Sequence, residues 1–170
     1  MKTVLSLLDF LTWVLFVLAA VLVGLILLVV AYDMASRNFG LPTAMWAVNS
    51  VEYAMLHITF LALPWLVRTR GHVSVEVLLM VLPARVRHAH EVFLHILAAA
   101  VCFYIAWRSG ISFVQAVASG SYEIRTFDTP MWVLFATMPL GMTFGGLQFL
   151  AFLVRRESYF VPDETTGAGL

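Results

Sequence analysis

Four long apolar stretches, separated by short polar ones, run along this chain. The first, residues 10–32, lies without a charge between Asp9 and Asp33. The second covers 45–67 and contains Glu52 and His57; the third covers 91–108, apolar to Trp107 and interrupted by Arg108, after which ISFVQAVAS can carry the helix outward. The fourth covers 130–154 and stops at Arg155 and Arg156. A helix that crosses a bilayer needs about 20 mostly apolar residues. The pattern therefore predicts an all-α integral membrane protein with four transmembrane helices in one membrane domain, residues 1–156, followed by a polar tail, 157–170. The first stretch is too long for a signal-peptide core and lacks a small-residue cleavage pattern, so it is read as a retained span.

Between the second and third stretches stands VSVEVLLMVL, residues 73–82, too short to cross. Its start alternates like a strand, but a lone strand at a membrane surface leaves its backbone unsatisfied. As a helix it puts Val75, Leu78, Leu79 and Leu82 on one face before Pro83 ends it. A short amphipathic helix in the inner interface is expected, anchored by Arg68, Arg70, Gly71, His72, Glu76, Arg85 and Arg87 at headgroup level. The alternative is a plain basic loop held by anionic membrane lipids.

Composition agrees with the pattern, since 62% of residues are hydrophobic and 12% charged, against roughly a quarter charged in soluble domains. Ten basic residues balance ten acidic ones, which argues against a nucleic-acid partner. Charge position says more than charge sum. Read with Arg108 in the third loop, seven Lys and Arg fall at the N-terminus, second loop and C-terminal end, against three in the other loops. The positive-inside rule then places both termini in the cytoplasm. Trp46, Trp65, Trp107 and Trp132 are expected near span ends as an interfacial belt.

Candidate chemistry is sparse. Glu52 lies about two turns into the second span, and a charge there must be paired or wet. Arg37 in the first loop is its expected partner; a proton-coupled exporter using Glu52 is the rival reading. His57 and His95 suggest a haem-binding membrane anchor of a respiratory enzyme, although their expected heights differ by roughly 6 to 10 Å. The commoner role is a hydrogen bond to a neighbouring helix. His72, His88 and His90 lack metal-site spacing, and no catalytic arrangement of Ser, Cys or His occurs. Neither a catalytic residue nor a cofactor or metal is expected, and the lone Cys102 reads as a small buried apolar residue. Gly141, Gly145 and Gly146 permit close helix approach, within the chain or to a partner, and Pro139 should bend the fourth span.

Several of these residues also carry a resemblance. Arg37-Asn38-Phe39, Trp46, Glu52, the run Arg68-x-x-Gly71-His72-Val73-x-Val75-Glu76, Leu82-Pro83, Thr129-Pro130-x-Trp132 and Met138-Pro139-Leu140-Gly141 occur in an order that resembles the small membrane subunit of tripartite ATP-independent periplasmic (TRAP) transporters. The likeness covers about residues 30–155. Family members often carry two adjacent acidic residues near Glu52, where this chain has Val51 and Tyr53 as neighbours. The resemblance implies a small subunit that supports a large, sodium-driven elevator subunit, with a periplasmic binding protein delivering a small organic anion such as a carboxylate. The outer loop residues Tyr122, Glu123, Arg125 and Asp128 are then candidates for docking that protein, and the expected location is the inner membrane of a bacterium or archaeon.

Overall fold

The computed structural model describes residues 2–40, 42, 44–69 and 84–155. Four helices dominate: α1 (Lys2–Asn38), α2 (Met45–Arg68), α3 (Ala84–Ser119) and α4 (Met131–Arg155). All four are long and apolar enough to cross a membrane. In such a medium a helix satisfies every backbone group internally, which is why apolar runs without turn residues become helices here. The expected interfacial helix, with Arg70, Gly71, His72 and Glu76, and the tail 157–170 lie outside the described residues.

Two helices are longer than the apolar runs that predict them. α1 has 37 residues and measures about 55 Å, well beyond the ~30 Å of hydrocarbon. It ends where the Phe39 amide bonds the Ala35 carbonyl and Gly40 takes a φ of 66°, a left-handed turn that glycine adopts without strain. α3 does not stop at Arg108. It continues through ISFVQAVAS to Ser119, because one charge does not interrupt a helix whose following residues all accept that conformation. Gly120, with a φ of 58°, then turns the chain into a small hairpin.

The hairpin pairs β1 (Tyr122–Ile124) with β2 (Asp128–Pro130), in the antiparallel register Tyr122 opposite Pro130, Glu123 opposite Thr129 and Ile124 opposite Asp128. The Met131 amide bonds the Ser121 carbonyl at 2.9 Å, fastening the hairpin to the start of α4.

The helices stand in a row, α1, α2, α4, α3, rather than around a common centre. α1 packs along α2, α2 along α4, and α4 along α3, while α1 meets α4 only slightly. Rings mark the first seam: Phe16 stacks on Trp65 at 5.3 Å and Tyr32 on Trp46 at 6.3 Å. Glycine makes the second. A Cβ on Gly141 would run into the backbone carbonyl of Phe60, and one on Gly145 would meet Leu63 Cδ2 at 3.0 Å. Pro64 lies one turn beyond Phe60 in α2 and has no N–H to offer that carbonyl. The proline thus exposes the oxygen against which the glycine packs, and a Cα–H to carbonyl contact suits the approach. Gly146 faces the other way, toward Phe103 and Cys102 of α3. The three glycines therefore serve packing inside this chain, on both sides of α4, and α4 runs unbroken through Pro139.

Candidate functional site

Two layers of polar contact lie toward opposite ends of the row, one at Asp9, termed inner, and one at the hairpin, termed outer, and the sequence pattern does not announce the first. Asp9 of α1 forms an ion pair with Arg68 of α2, Nε to Oδ1 3.2 Å, and accepts a hydrogen bond from Arg155 Nη2 of α4 at 2.8 Å. Gln148 Nε2 donates to the same carboxylate at 3.2 Å and to Thr12 Oγ1 at 2.9 Å. Gln148 and Thr12 are fully buried. An amide and two guanidiniums converging on one carboxylate offset the cost of holding charge at the membrane boundary. The available sign was Gln148 itself, a lone amide in the fourth apolar run, where an unsatisfied polar group costs several kcal/mol. Of the residues expected to anchor the inner interface, Arg68 belongs to this knot. Arg85 and Arg87 fall in the first turn of α3, and the described features do not extend to their side chains.

The outer layer corrects the expected pair of Arg37 with Glu52. Arg37 Nε bonds Asp33 Oδ2 at 2.9 Å, four residues back on its own helix. Glu52 instead receives Arg125 Nη1 of the hairpin at 2.6 Å, and Arg125 Nε also bonds Glu123 at 3.0 Å. A partner one turn away on the same helix needs no loop to be ordered, which is why Asp33 takes Arg37. The hydrogen bond to Glu123, and then the charge of Glu52, push the Arg125 guanidinium above its usual pKa, so it stays cationic. Phe127 at the hairpin tip meets Tyr53 edge-on at 6.0 Å. Tyr122 and Asp128 are exposed, Glu123 is half-buried and Thr129 is buried. A crevice of about 250 Å³ opens nearby between α1 and α2, lined by Val30, Asp33, Ala47, Val48, Val51 and Glu52.

The two histidines point to different depths. His57 Nδ1 lies 2.6 Å from the Tyr53 carbonyl and Nε2 3.1 Å from the Val133 carbonyl of α4. His95 Nδ1 lies 2.6 Å from the Glu91 carbonyl, and its ring packs on Phe149 and Phe152. Val133 and Phe149 are sixteen residues apart on α4, about 24 Å along the axis. No single haem iron spans that distance, which is larger than the sequence suggested. Among the described residues, no three His, Cys, Asp or Glu side chains gather to hold a metal.

Between the two layers stands Arg108. Gly110 of α3 lies against Pro139, where a Cβ would stand 4.0 Å from the proline Cβ, and Gly141 lies against Phe60. Arg108 is therefore level with Phe60, eight residues from both Glu52 and Arg68. Trp107 shares that level, away from the span ends where a belt was expected, whereas Trp46, Trp65 and Trp132 do lie toward helix ends.

Four long apolar helices in a row define a multi-pass membrane protein. The chain belongs to the family described as Tripartite ATP-independent periplasmic transporters, DctQ component, which matches residues 26–158. It is the small membrane component of a TRAP transporter. A search of curated proteins finds no match to the chain.

Proposed function

We propose that this subunit is a fixed scaffold for a large, sodium-coupled elevator subunit that takes up a small organic anion such as a carboxylate, delivered by a periplasmic binding protein. The observation that carries this reading is the open row. Solute and sodium sites in secondary transporters are built from carbonyls and polar side chains between helices near mid-membrane. Here the helix seams are packed by aromatic rings and glycines, their polar groups His57 and Gln148 bond directly to neighbouring helices, and the described residues of the row enclose no common interior. A transport domain that slides needs a frame that does not, and a flat wall of apolar helices widens such a frame in the bilayer.

In this reading the chain sits in the inner membrane with both termini cytoplasmic. With Arg108 inside α3, the sequence puts seven Lys and Arg in the N-terminal, second-loop and C-terminal segments and two, Arg37 and Arg125, in the other loops. Arg70, His72, Arg85 and Arg87 would hold the inner leaflet. The hairpin would face the periplasm and offer Tyr122 and Asp128 to the binding protein.

Reconstitution tests the scaffold. Uptake should require this chain, the large subunit, the binding protein and a sodium gradient together; uptake by this chain alone would sink the proposal and favour the exporter. For docking, reversing Glu123 and Arg125 should slow uptake at limiting binding protein. Because that reversal also sets two acids against each other at Glu52, the control is the double exchange Glu52→Arg with Arg125→Glu. Normal uptake in the reversed variant would remove the hairpin from docking.

A further inference from the structure

Arg108 presents a problem that the chain does not solve. It is exposed on α3, about 12 Å along the helix axes from the charged layers on either side. Among the described residues it has no ion-pair partner. Its height would not matter in water, but at the bilayer centre a guanidinium is costly unless it is paired or hydrated. Reaching a headgroup is unfavourable, because both layers lie beyond the side chain's length. Moreover the Cα–Cβ bonds of α3 tilt toward its N-terminus, away from the hairpin side.

Around Arg108 the exposed side of α3 carries large aromatic rings beside aliphatic Leu97 and Val101. Tyr104 is 61% exposed and Trp107 64% exposed, and their rings meet edge-on at 6.5 Å. Gln115, also exposed, follows two turns outward on the same face. Tyr, Trp and Arg together are the side chains that dominate binding energy at protein interfaces.

We propose that this face of α3, centred on Arg108, Tyr104 and Trp107, is the docking surface for a helix of the large membrane subunit that presents a carboxylate at mid-depth. The assignment rests on the scaffold reading above. A second copy of this chain does not fit. The described acids Asp9 and Glu91 lie toward the inner end and Asp33, Glu52, Glu123 and Asp128 toward the outer, so none meets Arg108 at its own height.

The tagged chain is purified from its own membranes with the large subunit, as wild type and as Arg108→Leu, Arg108→Lys and Arg108→Glu. Complex yield is read by native mass spectrometry, and melting is followed for each isolated chain in detergent. The isolated Arg108→Leu chain should melt no lower than wild type, since it loses an uncompensated charge. Its yield of complex should nevertheless fall about 10-fold or more, because the partner's carboxylate is left alone. Arg108→Lys should retain most of the complex and Arg108→Glu should lose it. Undiminished complex with Arg108→Leu would overturn the assignment and leave Arg108 to lipid or to a water-filled dent in the bilayer. A lower melting temperature of the isolated Leu variant would overturn it too, making Arg108 a structural residue of this chain. Wild type without any large subunit would overturn the scaffold reading itself, a result seen before any variant is compared.

Discussion

The inner and outer polar layers are opposites in composition. At the inner end one carboxylate, Asp9, is shared by two guanidiniums and an amide; at the outer end one guanidinium, Arg125, is shared by two carboxylates. The inner knot ties three helices and rests on the buried Gln148, whereas the outer one ties a hairpin to α2 in the open. Similar distances thus carry different weight. The outer pair is open to water and contributes little, whereas Asp9 and its arginines are partly withdrawn from water, most of all Arg155, and cost more to break from one side.

The largest effect should come from the glycine seam that holds both layers in register. Gly141→Ala sets a methyl against the Phe60 carbonyl, a backbone atom that cannot turn aside, and should cost about 3 kcal/mol or prevent folding. Melting in detergent reads this directly, and a variant as stable as wild type would mean that α2 and α4 are not in contact there. Next, Asp9→Ala removes the shared acceptor and should cost roughly 2 kcal/mol, since Asp9 is partly open to water, with Asp9→Asn milder. If Asp9→Ala proved harmless, the inner knot would be no stronger than the outer one. Gln148→Leu should cost less, about 1 to 2 kcal/mol, by removing the buried donor to Thr12; hydrogen exchange at the start of α1 should rise with it. Arg125→Ala should be the weakest, detectable as faster proteolysis of the hairpin at low salt and absent at high salt. A salt-insensitive loss of stability would erase the difference between the two ends.

The four helices were legible because apolar length is a strong signal that needs no partner. Contacts were less so. Arg37 and Glu52 are near in sequence and opposite in charge, yet Asp33 lies closer to Arg37 along α1, and the hairpin that brings Arg125 back is only three residues per strand. Gly141 and Gly145 announced a close approach but not whose helix would approach. Asp9 and Gln148 stand 139 positions apart, and only a folded row joins them. A charge such as Arg108 marks a span boundary in sequence, and only ISFVQAVAS beyond it signals the helix that runs on to Ser119.

The sequence order of the inner knot has a consequence for biosynthesis. Asp9 enters the membrane with the first helix, and its partner Arg155 is the last residue of the fourth. During translation α1 and α2 can pair as soon as both are inserted, and Asp9 can then meet Arg68. The remaining bonds to Arg155 and Gln148 must wait until the final span is in place. The knot therefore closes last, joining the beginning of the chain to its end only when all four helices have arrived.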